Sequence, residues 1–375
     1  MLEKIKEMTI WCLRNFRKKK IMILESYPDF TENTYFFYRY LVEEKGAQKD
    51  FKFVWFMNNM DKKKKTLCGV PIVCVPNLPS SAIQKIRRLY YFVSAKVIVD
   101  CNIVVDKFDD RQIRIFFDHG MPYKACDGYM KMIGKCDLLT TTSEIFNEYH
   151  KQFADEDAIK TVGTPKNEIL AQGKENPEGK RFIVWMPTFR QSQFNDVQMG
   201  KKFPLGLPII ENQQQIEILK KRLEQYNLHL LFKLHPSQDP SLLTLENSEI
   251  IQVVNDRFLE SRNLRMEEIL AKSSALITDY SSVYFDYLFT KQPIALTLDD
   301  LKEYVEQSGE LFMDPEKELA SRKVYTFKDL LDFVEEIGTH QDVTYEERME
   351  FMRKNKFVNL PASENAYQFI LDRMN

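Results

Sequence analysis

Short runs of β-branched and aromatic residues alternate with longer stretches of helical periodicity along the chain. This alternation is typical of parallel sheets covered by helices. The apolar runs of the first half predict strands near Ile21–Leu24, Phe51–Phe56, Val70–Val75, Val97–Asp100, Ile113–Phe117, Leu138–Thr141 and Ala158–Val162. The intervening periodicity predicts helices at Thr34–Glu44, Ile83–Val93 and Ser143–Phe153, with Ser143 as the N-cap of the last.

A polar segment rich in Gly and Pro, residues 171–180, follows and is typical of a linker between domains. The alternation then resumes. The second half predicts strands at Phe182–Met186, His229–Leu234, Ile250–Val253, Ala275–Thr278 and Ile294–Leu298, and helices at Gln213–Tyr226, Met266–Lys272 and Val283–Phe289. Between the first of these strands and the first helix, the long polar stretch Gln191–Leu207 is irregular enough to form a loop that moves over a site.

These two sets of elements predict an α/β chain of two domains, residues 1–172 and 173–375. A chain of 375 residues exceeds what one hydrophobic core usually organises. We therefore expect two Rossmann-like parallel-sheet domains facing each other across a cleft, the architecture called GT-B. Ligands of such sheets bind beyond the carboxyl ends of the strands, so functional residues should follow strands directly.

Composition and charge exclude several classes of function. The chain has 53 basic and 55 acidic side chains, which gives no overall field for holding a nucleic acid, and we find no nucleic-acid-binding motif. The six cysteines are scattered, with no C-x-x-C pair and no histidine at a zinc-ligand spacing. No apolar run approaches the length of a membrane span, and the N-terminus does not resemble a signal peptide. We expect a cytoplasmic protein with reduced thiols.

Two segments have the composition of a membrane-surface contact. Residues 1–20 combine an apolar stripe at helical spacing with a basic cluster, Arg17–Lys20, at its end. They could form a helix that lies on anionic lipid at the inner face of the membrane, or a helix that packs on its own domain. In the second segment, Lys85–Phe92, cations and aromatic residues alternate, a mixture found more often in half-buried helices.

A first candidate for chemistry is His119, which follows the predicted strand Ile113–Phe117. Gly120 and Pro122 form a turn that would hold the imidazole exposed. A cleft histidine can take a proton from a hydroxyl near neutral pH. Asp118 would point elsewhere if the strand continued, so the sequence predicts no dyad. The alternative is a histidine that only satisfies a turn.

A second histidine, His235, ends another predicted strand, and Pro236 prevents that strand from continuing. Lys233 lies two residues earlier on the same face. A cation and an imidazole that project together suit a diphosphate or a departing nucleotide phosphate.

A third element is the turn from the strand Ala275–Thr278 into a helix, which carries Asp279, Ser281 and Ser282. Hydroxyls and backbone N–H groups at a helix N-terminus form a phosphate site, although Ser281 could simply cap its helix. No Gly-x-Ser-x-Gly elbow is present, which disfavours a serine nucleophile.

A fourth element, Trp185–Arg190, places Thr188 and Arg190 after the first strand of the second domain, where the guanidinium could make a forked contact to phosphate. The segment Thr161–Asn167 closes the first domain in a similar turn. The pairs Asp109–Asp110 and Asp299–Asp300 read as solvated loop charges, so the sequence does not demand a metal.

Together these segments resemble the CDP-glycerol glycerophosphotransferase family, the primases and polymerases of teichoic acids and related polymers. The family pattern Trp-His-Gly-Thr-Pro-Leu-Lys occurs here as Asp118–Lys124, and Ile277–Tyr287 is the most specific match. Phe232–Pro236, Met186–Arg190 and Gly163–Asn167 support it. The departures from the pattern are Asp118 for tryptophan, Met121 for threonine and Tyr123 for leucine.

The resemblance implies that an acceptor hydroxyl loses its proton to His119 and attacks a CDP-polyol, such as CDP-glycerol or CDP-ribitol, releasing CMP. It implies a C-terminal domain that binds the donor and an N-terminal domain on the side of a lipid-linked or polymeric acceptor, with no tightly bound cofactor. His235 would share the catalysis, and the family motifs imply substrate contacts from Gly120, Lys124, Thr188, Arg190, Lys233, Asp279, Ser281 and Ser282. Two alternatives remain open: a GT-B enzyme that uses a nucleotide sugar, and a catalytically silent partner in polymer assembly.

Overall fold

The computed structural model describes residues 16–102, 105–121, 136–151, 154–173, 179–191, 199–235, 238, 241 and 243–374. The chain divides into two compact units. The first comprises Met1–His119, Asp127–Glu168 and Val358–Asn375, and the second comprises Gly120–Cys126 and Ile169–Phe357.

The first unit is built on a seven-stranded sheet with the strand order β5-β2-β1-β6-β7-β8-β9. All its neighbouring strands pair in parallel. The strands are β1 Lys19–Glu25, β2 Lys52–Met57, β5 Val73–Pro76, β6 Ala95–Asp100, β7 Ile113–Phe117, β8 Leu138–Thr141 and β9 Ile159–Thr161, and a small antiparallel hairpin joins β3 Thr66–Leu67 to β4 Val70–Pro71. The helices are α1 Glu32–Glu43, α2 Ala82–Ser94, α3 Glu144–His150 and α4 Pro165–Ala171.

The second unit has a six-stranded parallel sheet with the order β12-β11-β10-β13-β14-β15. The strands are β10 Arg181–Met186, β11 Leu228–Lys233, β12 Ile251–Val254, β13 Ala275–Thr278, β14 Ile294–Thr297 and β15 Arg322–Val324. The helices are α5 Gln213–Gln225, α6 Asp256–Ser261, α7 Met266–Leu270, α8 Val283–Tyr287, α9 Leu301–Ser308, α10 Phe327–Gly338 and α11 Tyr345–Lys354, and α12 Ala362–Asp372 follows in the first unit. The strand order of this second sheet reverses direction between β10 and β13, and ligands of such sheets bind at that point.

Burial explains why the strands form continuous apolar runs. Parallel strands covered on both faces cannot alternate apolar with polar side chains. In β10, Ile183, Val184 and Trp185 are fully buried, and Trp185 packs against Phe232 of β11. In the first unit, the interior strand β1 is buried in the same way from Ile21 to Glu25. The predicted α/β fold class of two parallel-sheet domains is confirmed.

Most predicted elements are present with shifted ends. Ser143 is the N-cap of α3, and its hydroxyl accepts from the Ile145 N–H at 3.3 Å. The predicted strand Val70–Val75 is split into β4 and β5. Residues 19 and 20, assigned to an N-terminal helix, belong to β1, while residues 1–15 and 174–178 lie outside the described residues.

The end of the chain returns to the first unit, whereas the sequence placed all of 173–375 in the second domain. The Val358 N–H donates to the Thr142 carbonyl at 2.9 Å. The backbone N–H and hydroxyl of Ser363 donate to the Glu168 carboxylate at 2.8 and 2.7 Å. These bonds fix α12 on the first unit, and burial raises the pKa of Glu168.

Candidate active site

His119 lies just beyond β7, and its side chain is 43% exposed. Its backbone is held by a neighbouring segment: the Lys166 ammonium donates to the His119 carbonyl. Asn33 donates to the Asp118 carbonyl at 2.6 Å and accepts from the Lys166 N–H at 2.9 Å. Lys166 comes from Gly163–Asn167, so two segments singled out in the sequence meet here. The imidazole is therefore accessible on a firmly held turn.

The carboxylate of Asp118 lies between two histidines. Its Oδ1 is 3.5 Å from His119 Nδ1, and its Oδ2 is 2.9 Å from Nε2 of the buried His150. Asp118 was expected to point away from His119 only if the strand continued through both residues. β7 ends at Phe117, so the alternation of a strand no longer separates the two neighbouring side chains.

Gly120 lies close to Ser282. A Cβ at position 120 would lie 2.5 Å from the Ser282 hydroxyl oxygen and 3.1 Å from the Ser282 Cβ, so a larger residue there would force the serine side chain to move. Both residues belong to the second unit. Lys124 and Pro122 of the same motif lie outside the described residues.

A cavity of about 290 Å³ opens in the second unit beyond the carboxyl ends of β10 and β11. Its lining includes Thr188, Lys202, Phe203 and His235. The ring of His235 is half-buried and packs on Phe189, with 5.1 Å between ring centroids. The cavity thus has a titratable imidazole, an exposed cation and aromatic surface at the edge where ligands of such sheets bind.

Arg190 borders this cavity but is committed to the protein. Its Nε and Nη2 donate to Asp300 at 2.7 and 3.0 Å, and its Nη1 donates to the Thr188 carbonyl and hydroxyl at 3.0 and 2.7 Å. Its Nη2 also lies 2.9 Å from Asp279 Oδ2. Burial alone would lower the pKa of Arg190, but the two carboxylates raise it above its ordinary value. All five N–H donors are engaged, which corrects the predicted forked contact to phosphate.

Asp279 serves the same network and orients the turn after β13. Its carboxylate accepts from the Thr188 N–H at 2.8 Å, from the Thr188 hydroxyl at 3.0 Å and from the Tyr280 N–H at 2.7 Å. Because it is fully buried, it is not placed to contact a donor hydroxyl. The geometry therefore supports a role for Asp279 in orienting this turn.

The pair Asp299–Asp300 was wrongly assigned to solvated charges. Asp300 is fully buried and, besides Arg190, accepts from the Tyr280 hydroxyl and the Lys201 N–H, each at 3.0 Å. Burial, together with the charge of Asp300, raises the pKa of Asp299 to about 6. In the first unit Asp109 is paired with Lys18 and Arg111, at 3.0 and 2.7 Å.

The predicted serine turn is present, but the helix that follows it is short. Ser281 accepts from the Val283 N–H at 3.4 Å, and Ser282 occupies the N-cap position with no side-chain cap bond. Because α8 has only five residues, the hydroxyls matter more than a helix dipole. Lys233, which precedes His235 by two residues, is 9% exposed.

Sequence reasoning missed three residues of interest. Lys202 is an exposed cation on the cavity, within the predicted loop Gln191–Leu207, of which residues 192–198 lie outside the description. Asp118 and His150 form the buried pair behind His119. The only signal in the sequence was the replacement of the family tryptophan by Asp118.

Two features are absent from the described part of the chain. No group of three or more His, Cys, Asp and Glu residues is placed to hold a metal ion there. No helix in that part is long and apolar enough to span a bilayer.

The chain is similar to several known proteins. A family model described as CDP-Glycerol:Poly(glycerophosphate) glycerophosphotransferase matches residues 7–372. The teichoic acid glycerol-phosphate primase of Bacillus subtilis is 26% identical over 251 residues, which cover 64% of this chain and 59% of the primase. A teichoic acid poly(glycerol phosphate) polymerase of Bacillus spizizenii is 24% identical over 342 residues, which cover 80% and 79% of the two chains. The match to the primase thus spans about three-fifths of that protein's length.

Among solved structures, a variant of the wall teichoic acid polymerase TagF soaked with CDPG has a TM-score of 0.72, with 18% sequence identity. The match covers 96% of this chain and 92% of that one. At this identity the likeness concerns the fold, and it agrees with the GT-B class expected from the sequence.

Proposed function

The chain belongs to the CDP-glycerol:poly(glycerophosphate) glycerophosphotransferase family, and we propose that it transfers a polyol phosphate from a CDP-polyol to a hydroxyl of a lipid-linked or growing surface polymer. CMP is the second product. The observation that carries the proposal is that both candidate histidines lie beyond the carboxyl ends of parallel strands and neither is sealed in a core. His119 is 43% exposed, and His235 lines the cavity.

In this proposal the second unit binds the donor. The cavity beyond β10 and β11 suits a nucleoside diphosphate because it combines aromatic surface with polar groups at a sheet edge. Lys202 replaces Arg190 as the cation that meets the diphosphate, since the Arg190 donors are engaged within the protein. His235 stabilises charge on the departing phosphate. Ser281 and Ser282 offer hydroxyls at the same sheet edge, whereas the Thr188 hydroxyl is engaged by Asp279 and Arg190.

His119 of the first unit acts as the general base. It takes the proton of the acceptor hydroxyl, whose oxygen attacks the β-phosphorus of the donor. The bond between this phosphorus and the bridging oxygen breaks, and the electron pair leaves on CMP. Positioning and electrostatic stabilisation supply most of the rate in such phosphoryl transfers.

The test uses purified protein with CDP-glycerol, CDP-ribitol, UDP-sugars and lipid-linked disaccharide acceptors, with CMP and products measured by mass spectrometry. We expect CMP release that depends on the acceptor, and a loss of about 100-fold or more in His119→Ala, the scale of general-base catalysis. His229→Ala is the matched control, because His229 lies at the opposite end of β11 from His235 and pairs with the Glu249 carbonyl at 2.9 Å. Near wild-type turnover of His119→Ala would refute the assigned base.

The same proposal includes no tightly bound cofactor, because the donor carries its own activated phosphate. Adding EDTA to the assay tests whether a divalent cation assists. Turnover that persists with EDTA supports transfer by protein groups alone, and turnover lost with EDTA and restored by Mg²⁺ establishes a metal requirement.

We also propose that the protein works at the inner face of the membrane and contacts anionic lipid through α2. Ile83 and Ile86 are 78% and 69% exposed on this helix, although the sequence favoured a half-buried segment. Lys85 and Arg87, both exposed, lie beside them. An amphipathic helix that mixes exposed apolar side chains with cations fits an anionic bilayer surface.

Vesicle co-sedimentation tests this contact. We expect binding to phosphatidylglycerol vesicles that weakens with salt, little binding to phosphatidylcholine, and loss of binding in Ile83→Ser/Ile86→Ser. A control variant, Val343→Ser, changes another exposed apolar residue, 60% exposed, outside α2. Equal binding of both variants to anionic vesicles would exclude α2 as the contact.

A further inference from the structure

The buried pair Asp118–His150 is not used by the mechanism above, although Asp118 is the immediate neighbour of the proposed base. Asp118 is 1% exposed and His150 is fully buried. A buried carboxylate is expensive unless it is paired and hydrogen-bonded. The pairing with His150 therefore determines which oxygen of Asp118 can accept a hydrogen bond from His119.

The hydrogen bonds of His150 place its protons. Its Nδ1 lies 2.8 Å from the Phe146 carbonyl oxygen, which can only accept, so Nδ1 carries a hydrogen. Its Nε2 lies 2.9 Å from Asp118 Oδ2, and this distance requires one proton held between the two atoms. One oxygen of Asp118 is thus fixed by His150, and the other is left facing His119.

That second oxygen, Oδ1, is 3.5 Å from His119 Nδ1. This is longer than a full hydrogen bond, but catalytic hydrogen bonds are often long without substrate and tighten when it binds. The turn is braced from other elements by Asn33 on the Asp118 carbonyl and by Lys166 on the His119 carbonyl, with Glu32 at 3.5 Å from the Lys166 ammonium. The bonds from Asn33 and Lys166 go to backbone carbonyls and do not involve the His119 imidazole.

We propose that Asp118 is a positioning residue for His119: its carboxylate, oriented by His150, accepts the Nδ1–H of His119 and leaves the Nε2 lone pair to act as the base. The inference rests on the proposed function. In the reaction the proton of the acceptor hydroxyl moves to His119 Nε2, the oxygen bonds to the β-phosphorus, and CMP leaves with the electron pair of the broken bond. The proton on Nε2 then returns to solvent.

Two substitutions separate the acceptor role from a role in folding. Asp118→Asn keeps an oxygen towards His119, because the amide N–H₂ can donate to His150 Nε2 while the amide oxygen faces Nδ1. Asp118→Leu is similar in size but has no acceptor. Asp110→Asn, an exposed carboxylate before β7, is the control. If the leucine variant fails to fold, the wild-type spectrum and the asparagine variant still decide the question.

The experiment combines ring-nitrogen NMR spectra of ¹⁵N-histidine-labelled protein with CMP-release kinetics. We expect wild-type His119 to carry its hydrogen on Nδ1, and Asp118→Leu to lose this tautomer and about tenfold or more in kcat, with KM for CDP-glycerol within about twofold. Asp118→Asn and the control should keep most of kcat.

A wild-type His119 with its hydrogen on Nε2 would overturn the proposal, as would unchanged kcat in the leucine variant or equal losses in both Asp118 variants. If the wild-type protein releases no CMP with any donor, the proposed function fails. The tautomer spectrum still decides the positioning in that case.

Discussion

Replacing Arg190 by methionine should destabilise the second unit by about 3–5 kcal/mol, the range for breaking a buried ion pair by removing one partner. Arg190 is 5% exposed, and its side chain is bonded to Asp300 and Thr188 and lies 2.9 Å from Asp279. Methionine fills much of the same volume, so the loss comes mainly from two carboxylates left buried without their cation.

The assay is unfolding in urea followed by hydrogen exchange of peptides from β10 and β13, because a chain of two units need not unfold in one step. Arg222→Met is the matched control: Arg222 pairs with Glu335 at 2.7 Å, but both side chains are partly exposed, at 28% and 51%. A surface pair of this kind contributes about 0–1 kcal/mol. Equal effects of the two substitutions would refute the structural role of Arg190.

Arg190→Lys sharpens the same test. Lysine keeps the charge but cannot reproduce the five-donor fork. If Arg190 were chiefly a phosphate ligand, as the sequence indicated, this variant would keep its stability and lose mainly donor affinity. We expect the variant to lose stability and to keep most of its donor affinity. Calorimetric titration with CDP-glycerol, at a temperature where the variant is folded, measures that affinity.

Three further predictions concern single positions. Gly120→Ala should lower the melting temperature because its Cβ would meet the Ser282 hydroxyl at 2.5 Å. Adding Ser282→Ala should restore part of the loss, since it removes the hydroxyl but leaves the Ser282 Cβ at 3.1 Å; an unchanged melting temperature in Gly120→Ala would contradict the contact. Asp299→Asn should stabilise the protein at pH 7.5 by at most about 3 kcal/mol. The folded-state pKa of Asp299, about 6, lies above the ordinary 3.8, so the stability of the wild type falls as pH rises between these values. Urea unfolding measures the gain, and a gain of the variant over the wild type that persists below a pH of about 4 would contradict the prediction. Lys202→Ala should weaken binding of CDP-glycerol by about tenfold in calorimetry, with a smaller salt dependence and an unchanged melting temperature; unaltered binding would remove Lys202 from the donor site.

The sheets could be predicted from the sequence because their signal is local. A parallel strand buried on both faces forms an apolar run, and the runs around Ile113–Phe117 and Phe182–Met186 gave β7 and β10 nearly to the residue. The rule that ligands bind at carboxyl ends then located His119 and His235 after their strands. Both predictions use only residues that lie close together in the sequence.

The contacts of the polar side chains could not be predicted in this way, because their partners are distant in sequence. Arg190 read as a free cation after a strand, yet Asp300, which holds it, is 110 positions away. His150 meets Asp118 across 32 positions. A strand-end motif shows that a polar residue reaches the edge of a sheet, but its partners there decide whether it faces a ligand or stabilises the turn.

The return of Val358–Asn375 to the first unit has a consequence for synthesis on the ribosome. Domains generally fold as units while the chain emerges, starting from the N-terminus. Here α12 and its bonds to Glu168 arrive only after the whole of Ile169–Phe357 has been translated. A chain translated to about residue 350 would contain every strand of both sheets but would lack α12 and the bonds that Ser363 makes to Glu168. The first unit thus gains α12 only after the residues of the second unit have been translated.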